Sequence, residues 1–185
     1  MLVVPIFIIA VMIASATEAA TSVVRRTTLL VSDVGQSVAF YEKIGFHVWL
    51  RTGGPRDPKG PTALPLIGKP GESKCTIMAG RDEWVGMVGL LQYDKPALSR
   101  TREAMDQIGV GDAVLMIETD NVDEIYESLE AMKTPMLQLP KGGTTRSADS
   151  MKTVKNRFFR DPDGYVIEMS QVVKTEPLPA VAGTK

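Results

Sequence analysis

Val114-Leu-Met-Ile-Glu-Thr-Asp-Asn121, followed by Val122 to Met132, decides the fold, because it restarts a pattern already met near the other end of the chain. The β-branched and apolar run ends in a polar pair, and the next residues put Ile125, Leu129 and Met132 on one helical face. Earlier, Val23-Val-Arg-Arg-Thr-Thr-Leu-Leu-Val-Ser-Asp33 reads as a strand, and Val34 to Ile44 as a helix with Val38, Tyr41 and Ile44 at helical spacing. Asp33 suits the helix N-cap, and Gly45 stands where a left-handed C-terminal residue is wanted. Laying Asp33 on Asn121, an offset of 88 residues, pairs Val34 with Val122, Tyr41 with Leu129 and Ile44 with Met132. Duplication of one unit explains this pairing better than chance.

Working outward, each strand-helix pair leads into three further strands. In the first copy these are Phe46 to Leu50, Lys74 to Ala79 and Trp84 to Tyr93. Thr52 to Ser73 holds five glycines and five prolines and reads as a long loop, with room for a short strand near Ala63 to Ile67. In the second copy the strands are Pro135 to Leu139, Thr153 to Phe159 and Tyr165 to Val173. Asp161-Pro-Asp-Gly164 is a turn, proline presetting φ and glycine supplying the left-handed position. Pro140 to Met151 reads as a loop, and Lys141-Gly-Gly-Thr-Thr-Arg-Ser147 within it is either a flap or an ordinary surface loop; it lacks P-loop spacing. Asp94 to Gly111 reads as a connector with a short helix around Ser99 to Met105. The expected organisation is an N-terminal segment 1–22, a first βαβββ module 23–94, a connector 95–111, a second module 112–173 and a disordered tail 174–185. Neither module has enough residues to bury its sheet face alone, so an α+β fold follows in which the two curved sheets pair around a trough.

Composition narrows the function classes. With 44% apolar and 23% charged residues the chain fits an ordinary globular protein, and 21 basic against 22 acidic residues create no field that would attract nucleic acid or an anionic membrane. The single cysteine, Cys75, excludes an internal disulfide and reads as a small buried strand residue. Leu2 to Ala16 is an apolar run too short to span a bilayer, and Ala14-Ser-Ala16 offers the small-x-small pattern of an export signal. Export to the periplasm or secretion is therefore expected, with a retained membrane anchor as the alternative.

Val31-Ser-Asp-Val-Gly-Gln-Ser-Val-Ala-Phe-Tyr-Glu-Lys-Ile-Gly-Phe46 resembles the opening module of the vicinal oxygen chelate superfamily, the glyoxalase, bleomycin-resistance and extradiol-dioxygenase group. Phe158-Phe-Arg-Asp-Pro-Asp-Gly-Tyr-Val-Ile-Glu-Met169 is similar to its closing hairpin. In metal-dependent members, one position on the first strand and one on the last strand of each module carry His, Gln or Glu ligands. The resemblance places these at Arg26, at Leu91 or Gln92, at Val114 and at Glu168. Of these only Glu168 keeps the family residue, with Gln92 its one possible companion; a guanidinium cannot ligate a cation. His47 lies away from all four. No cofactor is expected, with a divalent metal in the trough as the alternative.

The resemblance then implies a trough in which Arg26 and Glu168 face one another, with Thr28, Gln92, Met116, Glu118 and Ser170 as ligand-contact neighbours by strand parity. Trp49, Trp84, Tyr93 and Phe159 serve either as pocket walls or as core. Three readings follow: a metal-free module that binds a small molecule; a glyoxalase-type isomerase or lyase using Glu168 as general base; and a membrane-anchored accessory subunit. A homodimer is compatible with all three.

Overall fold

The computed structural model describes residues 22–57, 59–60, 64–100 and 107–178. Its elements run β1 (Arg26–Leu30), α1 (Val34–Lys43), β2 (His47–Pro55), β3 (Glu72–Ala79), β4 (Met87–Asp94), β5 (Val114–Glu118), α2 (Val122–Ala131), β6 (Met136–Arg146), β7 (Ser150–Arg160) and β8 (Val166–Pro177). Two four-stranded mixed sheets result, ordered β1-β4-β3-β2 and β5-β8-β7-β6. The same order arises twice because β1 pairs parallel to β4, β5 pairs parallel to β8, and the remaining neighbours are antiparallel.

Local chemistry explains both helices. Asp33 caps α1 by accepting from the Gln36 N–H, and Gly45 takes φ 97° just beyond the helix. At α2, Asn121 makes no side-chain cap, and Lys133 adopts the left-handed conformation at φ 57° that glycine fills in the first copy. Val122, Ile125 and Leu129 are buried, whereas Met132 is half exposed, so the expected α2 face is one residue shorter at its C-terminal end.

One apolar core joins the copies. Tyr41, Phe40, Leu90 and Met78 from the first unit pack in a cluster with Leu129, Phe159, Ile167 and Met169 from the second. The rings of Phe40 and Phe159 meet edge to face at 6.0 Å. Both helices lie on this side, leaving the opposite face of each sheet open.

Several elements run past their expected ends. β2 continues through Gly53, Gly54 and Pro55, and β3 starts at Glu72, so part of the expected loop is ladder. Gly53 is required there: a Cβ would sit 2.3 Å from the Ser73 carbonyl oxygen. β6 and β7 form a long hairpin that converts much of the expected 140–151 loop, including Gly142 to Arg146, into strand. β8 extends to Pro177 because Lys174 to Pro177 pair with Ser150 to Thr153, which corrects the expectation that disorder begins at 174. Residues 64–67 form no strand, and the expected connector helix falls largely on residues 101–106, outside the described residues. No helix among the described residues is long and apolar enough to cross a membrane.

Candidate functional site

Cross-strand register fixes which side chains share the open faces, since directly paired residues point the same way. Arg26, Thr28 and Leu30 of β1 lie opposite Met87, Gly89 and Leu91 of β4. Leu91 therefore occupies the open face, and Gln92 does not. Gln92 turns to the helix side, where its Oε1 accepts the Val34 N–H at 2.9 Å and its Nε2 donates to Asp94 at 3.0 Å. The expected ligand contact at Gln92 is thus replaced by a structural tie between β4 and the start of α1.

In the second module, Val114, Met116 and Glu118 pair with Val166, Glu168 and Ser170. Glu168 and Ser170 in turn face Phe158 and Asn156 of β7. Asn156 Nδ2 donates to Glu168 Oε1 at 2.8 Å, while Ser170 Oγ donates to Asn156 Oδ1 at 3.0 Å. A short polar chain thus orients the Glu168 carboxylate. Met116 is 68% exposed and Glu118 is also exposed, so neither is enclosed by this chain.

Arg26 and Glu168 lie on the open faces of their respective sheets and form no direct ion pair among the described residues. The Arg26 side chain lies along Gly89, where a Cβ would come within 3.2 Å of its Cδ. Arg26 and Thr28 instead border a cleft of about 430 Å³ with Trp49, Ile77 and Met87. Beside it Arg25 stacks on Trp84, its guanidinium carbon 3.2 Å from the ring centroid. Cys75 packs with Ile77, Ala79 and Met87 on the same face. His47 is exposed at the start of β2 near Glu83, 3.7 Å away.

Of the positions that the resemblance offered for a metal, namely Arg26, Leu91 or Gln92, Val114 and Glu168, the register leaves Leu91 rather than Gln92 on the open face. One carboxylate in four cannot hold a divalent ion, which wants at least three oxygen or nitrogen donors. No group of three or more His, Cys, Asp or Glu side chains that could hold a metal occurs among the described residues. The donor set does not fit the family's metal.

A larger cavity, about 830 Å³, lies where the end of β1 meets the start of β8. Leu30, Leu91 and Tyr93 line it from the first module, Arg160, Tyr165 and Val166 from the second, and residues 64–67, 97–100 and 110–113 close around it. Its volume falls in the range of small-molecule sites. Tyr165 joins the modules here, its hydroxyl accepting from the Leu30 N–H and donating to the Leu30 carbonyl, both at 3.2 Å. Burial pushes this hydroxyl's pKa up. Beneath it, burial also raises the Asp161 carboxyl to about 6, although the Tyr165 and Asp163 N–H groups and the Tyr41 hydroxyl all donate to it. Asp163 accepts from the Ser32 N–H at 3.0 Å and lies 3.8 Å from Arg100.

Tyr93 lines this cavity and Trp49 the smaller cleft, whereas Phe159 is core and Trp84 is exposed. Sequence reasoning missed Arg160 and Asn156. Strand parity could have found both, since Arg160, Phe158 and Asn156 alternate along the strand that leads into the Asp161-Pro-Asp-Gly164 turn.

The sequence profile of the Glyoxalase/Bleomycin resistance protein/Dioxygenase superfamily matches residues 23–169. A protein of Vibrio parahaemolyticus serotype O3:K6 named "Probable lactoylglutathione lyase" is 29% identical over 147 residues, covering 78% of this chain and 87% of that protein. Among solved structures, a glyoxalase family protein from Bacillus cereus superposes with a TM-score of 0.60 at 15% identity, over 87% of this chain and 100% of the other. A glyoxalase/dioxygenase from Nostoc punctiforme gives 0.55 at 19% identity, over 82% and 91%. At these identities the two structures speak for the fold alone.

Proposed function

The chain belongs to the glyoxalase/bleomycin resistance/dioxygenase superfamily, and from that premise we propose that it binds a small organic molecule between its two modules without the metal of metal-dependent members. The observation that carries this reading is the pairing of an 830 Å³ cavity, walled by both modules, with a ligand set reduced to Glu168. A mostly apolar wall with a few fixed polar groups suits capture of an amphipathic molecule. The test is metal analysis of protein purified without chelator. Far less than one equivalent of zinc, nickel, manganese or iron is expected; one stoichiometric equivalent overturns the reading.

A second reading rests on the Asn156–Glu168 hydrogen bond. A carboxylate held at one end by an amide, on the open face of its sheet, can take a proton from a carbon next to a carbonyl. The Vibrio parahaemolyticus relative carries the name of a lyase, which agrees with this chemistry. If it holds, the protein turns over lactoylglutathione with no metal added, and Glu168→Gln lowers the rate by about 100-fold, the usual range of general base catalysis. No turnover, with metal or without, leaves the binding reading alone.

A further inference from the structure

Both tryptophans of the chain, Trp49 and Trp84, stand at one surface patch with the residues that lead into β1. Val23, Val24, Arg25, Arg26 and Trp49 border the same cleft, and the Arg25 guanidinium lies on the Trp84 ring. The apolar groups are open to solvent: Val23 is 65% exposed, Val24 70%, Trp49 38% and Trp84 57%. Local hydrogen bonds hold Trp84 in this position. Asp82 accepts the Trp84 and Val85 N–H groups at 2.7 and 2.8 Å, and the Val24 and Arg25 carbonyls accept the Gly86 and Met87 N–H groups, so the turn is tied to the segment beside it. A contiguous patch of aromatic and branched side chains left in water marks a contact surface.

The sequence that precedes the patch indicates what it contacts. The apolar run of residues 2–16 ends seven positions before Val23, a stretch of chain that reaches at most about 25 Å when fully extended. With residues 2–16 in a bilayer, Val23 therefore lies close to the bilayer surface. Fifteen apolar residues are fewer than the roughly 20 that span a membrane as a helix, and a short apolar anchor holds firmly only when a second contact supports it. We propose that the patch is that second contact: Val23, Val24, Trp49 and Trp84 enter the interfacial region of a lipid bilayer beside residues 2–16, with Arg25 and Arg26 at the headgroup phosphates. For residues 2–16 this takes the retained anchor over the cleaved export signal, and it is independent of the small-molecule site between the modules. Tryptophan suits the interface because its ring is apolar and its N–H is polar, and arginine lays its stem along apolar surface while its guanidinium reaches phosphate. Arg25 and Arg26 are matched in number by Asp82 and Glu83 of the neighbouring turn, so apolar burial rather than net charge sets the affinity.

The experiment is sedimentation of the full chain with phosphatidylcholine vesicles, read by tryptophan fluorescence, since the only two indoles of the chain belong to the patch. On binding, the emission shifts to shorter wavelength and lipids brominated in their acyl chains quench it. Trp84→Ser weakens vesicle binding by about 10-fold, the scale of burying one large apolar side chain, and an unchanged affinity overturns the proposal. The fluorescence of the parent stands without the variant, so the test does not depend on the variant folding. Sedimentation with unshifted, unquenched emission shows that residues 2–16 hold the chain alone and overturns the patch, as does failure to sediment. Emission that is already at short wavelength without vesicles, and unaltered by them, shows that protein covers the patch, either the N-terminal residues of the same chain or a second copy, and overturns it too.

Discussion

Burial holds the Asp161 carboxyl at about 6, while the same group in the unfolded chain ionises near 3.8. The folded state therefore binds this proton more tightly, and its contribution to stability is fully present below about 3.8 and lost as the pH rises through about 6. Asp161→Asn mimics the protonated form, and its amide oxygen can still accept the Asp163 and Tyr165 N–H groups. Relative to the parent, the variant gains on the order of 3 kcal/mol between pH 4 and pH 7, about 1.4 kcal/mol per pK unit. Urea unfolding across that range checks this; a stability difference that does not change with pH contradicts it. At this scale much was legible in the sequence, including the Asp33 cap, the left-handed Gly45 and the buried Tyr41. Gln92 was not, because a one-residue error in strand parity turns a side chain to the other face. Arg160 was not legible either, because only the pairing of β7 with β8, which sets it opposite Val166, brings it to the face that carries Glu168.

Element ends were harder to read than element identities. Gly53-Gly54-Pro55 carries the composition of a loop, yet the two glycines at φ 140° and 144° extend β2 alongside β3. Gly53→Ala places a methyl group against the Ser73 carbonyl in a backbone region that alanine avoids, and the expected cost is roughly 2–3 kcal/mol in thermal or urea unfolding. A loss below 0.5 kcal/mol would mean that the β2–β3 ladder ends earlier. Lys174 to Pro177 looked like a tail because these residues are polar and exposed, but pairing with Ser150 to Thr153 needs only backbone. The N-terminal segment is the element that chemistry can test most simply. If Ala14-Ser-Ala16 is read by a signal peptidase, N-terminal sequencing of protein from an exporting host gives a mature chain starting at Thr17. Recovery of Met1 in the membrane fraction supports the anchor instead.

For the molecule as a whole, the duplication was the most legible feature, since a strand-helix pattern repeated at a fixed offset needs no knowledge of contacts. How the copies meet was not. That depends on Phe40 against Phe159, on Tyr41 reaching Asp161, and on Tyr165 bridging the free edge of β1, all separated by more than a hundred residues in sequence. Because one core spans both modules, unfolding is expected to be a single cooperative transition, with calorimetric and van't Hoff enthalpies equal. Two resolved transitions would show that the modules are independent. The same junction forms the cavity, so stability and ligand capture draw on the same contacts. Amide chemical-shift mapping during titration with decanol and decanoate tests this most directly. Shifts concentrated at Leu30, Leu91 and Val166, from both modules at once, are the expected result; shifts confined to outlying residues such as Trp84 and Val173, or no shifts at all, contradict a small-molecule site between the modules.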